Sequence, residues 1–473
     1  MVPLSRREWL QQSACGFGHT ALLGLLAGEQ APGEARAAGA TGSALAAKAP
    51  HFPARAKRVV FLFMHGGISH VDSFDPKPKL AALNGQPLPL PKPKFEFAPT
   101  GNLLASPWDF RRYGQSGLEI SDLFPLIGSH ADDLCVIRSM HGGDQVSHGP
   151  ALLAMNTGSG VFARPSLGAW TLYGLGSEND NLPGFISLSP SLYHGGTQNY
   201  GAAFLPASFQ GTRIGDGSTD FKSTRLSNLV SAEDPALERR QLDLLAARNR
   251  RHAEMAGSDP RLEARIESFE MAWRMQAEAP GVFEIERETA ATLARYGVGT
   301  EPTDEYARQC VLARRCLEAG VRFVQVNFSY PRNYWDAHGD LRNNHTTNAK
   351  KVDQPIAALL ADLKARGLLD DTLVIFGTEF GRTPAAQGTD GRDHHPHAFS
   401  VWMAGGGVKG GMAHGLTDEF GYYVAEGKVT MPDFHATILA LLGLDHERLT
   451  FRHAGRDHRL TDVSGRVVRE ILA

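Results

Sequence analysis

The sequence predicts an α/β protein built on a mostly parallel sheet with helices on both faces. Three observations lead there. Short apolar runs of buried-strand type recur at 59–64, 134–138, 184–188, 322–328, 372–376 and 399–404. Segments with apolar residues at three- and four-residue spacing lie between several of them. Strand signals that alternate with helix signals imply parallel pairing, with the helices layered over the sheet. Glycine and polar residues, histidine above all, follow most of the runs.

Composition bounds the reading. The chain has 473 residues, 42% hydrophobic and 21% charged, with net charge −3, an ordinary globular profile. The near-neutral balance gives no electrostatic footprint for nucleic acid. At the N-terminus, Ser5-Arg6-Arg7-Glu8-Trp9-Leu10 has the form of a twin-arginine export signal. A weakly apolar stretch (21–27) and a small-residue cleavage pattern (35–38) follow it in order. Residues 1–40 are therefore read as a signal peptide, with the mature protein periplasmic or secreted. The apolar run is far short of the roughly 20 residues that span a bilayer, so the protein is not expected to cross one. Residues 41–56 read as a linker, and 57–473 as a single domain. Cys15 leaves with the signal. Cys135, Cys310 and Cys316 fit neither a disulfide framework nor a zinc motif.

The 59–64 strand ends in His65-Gly-Gly-Ile-Ser-His70, followed by Asp72 and Asp75, for which turn and cap chemistry competes with ligation. Residues 84–117, rich in Pro, Gly and aromatics, read as a surface loop. Residues 121–130 read as a short helix before the 134–138 strand. That strand leads to His141-Gly-Gly-Asp-Gln-Val-Ser147-His148, then a helix running to Thr157-Gly158. After the 184–188 strand, 195–225 shows weak periodicity. A charged helical insert spans about 225–296, its charges read as a solvated face. A helix at 305–319 precedes the 322–328 strand, whose end carries Trp335-Asp336-Ala337-His338, with His345 beyond it. An amphipathic helix at 346–366 is closed by Gly367. The glycine run 405–411 lacks a phosphate-binding pattern, so Lys409 within it is a weak anion candidate. A final helix covers 432–443.

The stretch after the 372–376 strand, GTEFGRTPAAQGTDGRDHHPH, gathers Glu379, Arg382, Asp390, Arg392, Asp393, His394, His395 and His397 in a loop. Strand C-terminal ends share one edge of a parallel sheet, so the histidine-bearing ends after 64, 138, 328 and 376 should meet. Mixed His and carboxylate side chains on converging loops point to a divalent metal, with Zn, Mn or Fe favoured over an all-oxygen Mg or Ca cage. Asp336 and His338 are two apart, so on extended backbone both face one way and can share an ion. Glu379 is a ligand or base, against a salt bridge to Arg382. Of the adjacent His394 and His395, at most one faces a given metal. His65 is a further ligand candidate, and His397 reads as peripheral. Arg382 suits a phosphate or sulfate group, or else orients Glu379.

The motifs HGGISHVDSFDPKP, WDAHG, GTEFGRTP, GRDHHP, AGGGVKGG, GLTDEFGY and PDFHATILALLGLD, with the SRREWL start, resemble a family of exported bacterial proteins. It is the domain-of-unknown-function family numbered fifteen-oh-one, grouped with the alkaline phosphatase and sulfatase superfamily. The resemblance implies a three-layer α/β/α sandwich, alkaline phosphatase-like, binding one or two divalent metals at the strand ends. It also implies a nucleophile at the start of a helix that closes on a Thr-Gly pair. Counted back from Thr157-Gly158, that position is His148, with Ser147 beside it, so either is the candidate attacking or proton-transferring group. The implied function is exported, metal-dependent hydrolysis of phosphate or sulfate esters, with an anionic ester or a sulfated or phosphorylated glycan as substrate. The alternative is an envelope protein of the same fold that binds an anionic glycan without turning it over.

Overall fold

Arg58–Met64 (β1) reads RVVFLFM, and its alternate residues enter two different cores: Val60, Leu62 and Met64 one, Val59, Phe61 and Phe63 the other. Both faces of the strand are covered, which explains an unbroken apolar run in place of in–out alternation. This is a computed structural model of the chain, and it describes residues 43–473 other than 92–98, 225–233 and 257–259. The proposed signal peptide lies outside the described residues.

The sheet continues with Leu134–His141 (β2), Phe185–Leu188 (β3), Thr212–Ile214 (β4), Phe323–Phe328 (β5) and Thr372–Gly377 (β6). Gly381–Gln387 (β7) and Gly391–His395 (β8) pair as a separate antiparallel hairpin. Phe399–Ala404 (β9), Met412–His414 (β10) and Val429–Thr430 (β11) return to the main sheet. Its nine strands run β10-β2-β9-β6-β1-β5-β3-β4, with β11 beside β2. All are mutually parallel except β9, which is antiparallel to β2 and β6.

On one face, His148–Thr157 (α1), Leu167–Leu175 (α2) and the later Met431–Leu441 pack through Leu152, Met155, Trp170, Phe434 and Ile438. Two long insert helices, Pro235–Ala256 (α3) and Pro260–Phe283 (α4), come next in the chain. The opposite face carries Asp304–Glu318 (α5) and Leu341–Ala365 (α6) through Ala307, Val311, Val352 and Ile356. The fold is thus a three-layer α/β/α sandwich on a mostly parallel sheet. Each fully buried Val, Leu, Ile or Phe contributes about 1.5–3 kcal/mol, and the sheet is the surface that collects them.

Some local expectations change. The loop expected at 377–397 contains the β7–β8 hairpin. The loop expected at 84–117 contains one strand of a second hairpin, Phe110–Tyr113, paired with Leu118–Ser121. The helix expected at 121–130 shrinks to Pro125–Gly128, since Ser121 belongs to that strand. The linker expected at 41–56 is not free where it is described: Lys48, His51 and Arg55 donate backbone hydrogen bonds to Leu175, Gly443 and Leu441. The Gly405–Gly411 run abuts Leu369, Thr372 and Leu373 at the start of β6, the sheet edge opposite the histidines. Lys409 there is exposed and donates to the Glu470 carbonyl, at the sheet edge away from the histidines.

Candidate metal centre

The site begins where β1 ends. Gly66 has φ 118°, and a Cβ on it would lie 2.5 Å from Trp335 N and 2.6 Å from Asp336 N. Only glycine lets the β1 end press this closely on the loop after β5. Gly66 N–H donates to Glu379 Oε1 at 2.8 Å, and Thr378 Oγ1 accepts from Gly67 N–H at 3.1 Å. Loops from β1, β5 and β6 are thereby fixed to one another.

Asp336 is the node. Its Oδ1 lies 3.1 Å from His338 Nε2 and 3.2 Å from His394 Nε2, and accepts from the Arg382 guanidinium. Its Oδ2 lies 3.4 Å from His148 Nε2. Burial would raise the Asp336 pKa, but the surrounding His148, His338, His394 and Arg382 hold it far below the usual carboxylate range. His148 opens α1, exposed by only 9%, and turns Nδ1 to Glu379 Oε1 at 2.7 Å. Glu379 is fully buried. Burial opposes its charge, yet His148 and His65 bring its pKa down to about 2.

Proton positions follow from the partners. The Val146 carbonyl can only accept, and it lies 2.6 Å from His394 Nδ1, so that nitrogen carries the proton. Burial pushes the His394 pKa down to about 4, so near neutrality the ring is uncharged and Nε2 is a lone pair. That lone pair points at an ionised carboxylate oxygen. His148 is arranged alike in space but not in charge: Glu379 takes Nδ1–H and the buried Nε2 has no hydrogen-bond partner, while burial opposes the ring's charge and the Asp336 and Glu379 carboxylates favour it, raising its pKa. Two ligands on one tetrahedral ion with bonds of 2.0–2.1 Å are roughly 3.3–3.4 Å apart. His394 Nε2 lies 3.2 Å from Asp336 Oδ1 and His148 Nε2 3.4 Å from Oδ2, so the two rings face different oxygens of one carboxylate, each at a spacing close to that edge, and the donor types suit a divalent cation.

Among the described residues, two sets of three donors fall within 4.8 Å of one another: His148, Asp336 and His394, and His65, His148 and Glu379. They are not equivalent. The 2.7 Å between His148 and Glu379 is a hydrogen bond, too short for two ligands of one ion. His65 Nδ1 accepts from Tyr330 N–H at 3.4 Å, and its Nε2 meets His194 Nδ1 at 2.9 Å, so neither nitrogen is spare. Burial takes the His65 pKa down to about 3, leaving it neutral. The first set is the one shaped for an ion.

Several expected site residues are placed elsewhere. Arg382 is wholly buried and commits four of its five N–H donors to the carbonyls of Gly66, Gly67 and Arg392 and to Asp336, so it does not face an anionic substrate. It orients Asp336 and not Glu379. His395 follows His394 on β8 and therefore faces the other way, to the Tyr422 carbonyl and the His70 ring. His397 lies near the rings of His395 and His141, outside the centre. His345 is buried against Trp335 and takes the Ser69 N–H. Asp72 and Arg392 form a wholly buried ion pair, which settles Asp72 as structural. Ser147 is exposed at the N-cap of α1, and its hydroxyl does not cap the helix.

Two contributors escaped the sequence reading. His194 reaches the centre from a turn after β3, with its own φ at 52° and Gly195 at 98°. Its ring stacks 5.3 Å from His148. The signal was present: β3 is another apolar run followed by histidine and two glycines. Gln387 bonds His338 Nδ1 through its side-chain oxygen, which holds Nε2 towards Asp336. Nothing local in the sequence marks that pairing.

Solved structures similar to this chain include three bacterial proteins. The lipoteichoic acid synthase LtaP from Listeria monocytogenes has a TM-score of 0.38 and 9% identity, covering 89% of this chain and 78% of that one. The PsFucS1 sulfatase from Pseudoalteromonas sp. has a TM-score of 0.35 and 13% identity, covering 83% and 68%. The alkaline phosphatase from the Antarctic bacterium TAB5 has a TM-score of 0.34 and 10% identity, covering 83% and 99%. No curated protein matches the chain. A family model described as protein of unknown function (DUF1501) matches residues 56–472, nearly the whole described chain, and the chain belongs to that family.

Proposed function

We propose that the protein is an exported, metal-dependent hydrolase of phosphate or sulfate esters whose cation is held by His148, Asp336 and His394, with His338 completing the set. The observation behind this reading is the placement of the neutral His394 Nε2 against the ionised Asp336 Oδ1, 3.2 Å apart. Two acceptors in that arrangement repel unless a cation lies between them. Histidine with carboxylate favours Zn, Mn or Fe over Mg or Ca. A cation bound there supplies Lewis acidity to an ester oxygen and acidifies water.

The protein's own residues then have separate tasks. Glu379 accepts His148 Nδ1–H and so presents Nε2, the carboxylate–histidine arrangement found behind metal ligands. Arg382 holds Asp336 from behind, and Gln387 sets the His338 tautomer. His338, the most exposed of the four, stands on the solvent side, where an anionic ester or a sulfated or phosphorylated glycan would approach.

One observation favours the second reading, an envelope protein that binds an anionic glycan without turnover. His148 occupies the expected nucleophile position with Nδ1 committed to Glu379, and Arg382 is unavailable to an anion. Assays of nitrophenyl phosphate and nitrophenyl sulfate with metal-loaded wild type, Asp336→Ala and His338→Ala separate the two. Turnover by wild type that both substitutions abolish supports the hydrolase. No turnover by the loaded wild type, or turnover indifferent to both changes, removes it and leaves glycan binding.

A further inference from the structure

The insert helix α3 has one face on α4 and another pointing away from it. On the inner face, Arg239 donates to both Glu270 carboxylate oxygens and lies 4.8 Å over the Trp273 ring. Leu242, Ala246 and Asn249 share a small cleft with Ile266 and Phe269. At 3.6 residues per turn, the opposite arc carries Leu237, Leu244 and Met255 together with Arg240, Arg248 and Arg251. No Asp or Glu falls on that arc. Leu244 and Met255 are 73% and 74% exposed, and Leu237 49%. The three arginines are exposed, and among the described residues none has an ion pair.

The chain as a whole carries −3, while this arc carries three positive charges with no ion pair among the described residues. The charge calls for an anionic partner, and the interleaved apolar side chains specify its kind. They stand apart on a convex helix and frame no groove that a rigid protein surface would fill. A deformable interface accepts them one at a time, with arginine heads on phosphates and apolar tips below. The 22 residues of α3 extend about 33 Å, enough to lie along such a surface. Among the described residues no helix is long and apolar enough to cross a membrane. We propose that the outward face of α3 docks the protein on an anionic phospholipid surface, with Arg240, Arg248 and Arg251 on the headgroups and Leu237, Leu244 and Met255 at the acyl boundary. This proposal does not depend on the metal centre.

Flotation of the full chain with phosphatidylglycerol–phosphatidylcholine vesicles, and with phosphatidylcholine alone, tests it. Wild type is expected to float with the anionic vesicles only, and to be released by salt. The triple variant Arg240→Glu, Arg248→Glu, Arg251→Glu should partition on the order of a hundredfold more weakly. Leu244→Ser with Met255→Ser should lose on the order of tenfold at unchanged charge. All these positions are exposed, so the thermal midpoint should not move. If either multiple variant melts early, Arg248→Glu and Leu244→Ser singly provide the same comparison. Failure of wild type to float with anionic vesicles overturns the proposal. So does floating that ignores the Leu244 and Met255 changes and is fully competed by dextran sulfate, which would identify an acidic polymer or protein as the partner.

Discussion

His394 Nε2 and Asp336 Oδ1 stand 3.2 Å apart with no proton to share, because the Val146 carbonyl has claimed the His394 Nδ1–H. The arrangement depends on the surrounding chain. Arg382 and the loop after β5 hold the carboxylate, and α1 brings the Val146 carbonyl to the β8 histidine. A mixed-ligand cation would resolve the repulsion, and the following expectations derive from that proposal.

Proton competition should govern metal uptake. Burial opposes charge on His148, but the Asp336 and Glu379 carboxylates raise its pKa above the usual 6.5. A protonated ring cannot ligate, so apparent affinity should fall as pH drops below that raised value and level off above it. Calorimetric Zn titrations in buffers of different ionisation enthalpy should show proton release at neutral pH. Affinity that stays flat between about pH 5 and 8 would contradict His148 as a ligand.

Glu379→Gln should weaken metal binding about 10- to 100-fold while leaving the ligands in place. The neutral amide no longer stabilises His148 with a full charge, and one of its hydrogens faces the Gly66 N–H or the Thr378 hydroxyl. Competition with a chromogenic chelator measures the loss. Equal affinity in wild type and variant would show that Glu379 does not support the centre.

The Asp72–Arg392 pair should matter for stability. Both side chains are fully buried, with contacts of 2.7 and 3.1 Å. Asp72→Ala leaves a buried guanidinium without its carboxylate and should cost about 3–5 kcal/mol in denaturant unfolding. Burial raises the Asp72 pKa, but the Arg392 charge and hydrogen bonds outweigh it and leave the pKa below 3.8. A depressed carboxylate stabilises the fold fully above its unfolded value of 3.8 and loses that contribution as pH falls through its folded value. The wild-type advantage over Asp72→Asn should therefore be constant near neutrality and shrink only in acid. An advantage that shrinks already between about pH 7 and 5 would be the wrong sign.

How much of this was legible in the sequence depends on the residue. Asp336 and His338 could be paired from a strand end and a two-residue spacing. His394 and His395 could be told apart only as neighbours of which at most one faces a given metal, and which one faces inward required the β8 pairing. The hairpin that sets it turns at Gly388-Thr389-Asp390, with Gly388 at φ 63°, a signal that competed with the loop-like polarity of the whole stretch. Arg382 beside candidate ligands resembles an anion clamp. Only the fold shows that glycine carbonyls from the far-off β1 turn consume its donors. His194 was hidden because its stretch has weak periodicity, although it repeats the strand–histidine–glycine pattern of β1 and β2.

Cys135, Cys310 and Cys316 are free and buried, and burial pushes Cys135 and Cys316 up to about 12. A thiol reagent should label none of the three in the native protein and all of them after denaturation. Prompt native labelling of any one would mean the core opens locally there.

The central claim is the cation among His148, Asp336 and His394, and elemental analysis of the purified protein after equilibration with Zn and Mn tests it most directly. The structure predicts close to one tightly held metal per chain in wild type, reduced several-fold or more in Asp336→Asn and in His394→Ala, with unchanged circular dichroism. Wild type that retains no metal, or variants that retain as much as wild type, would contradict it.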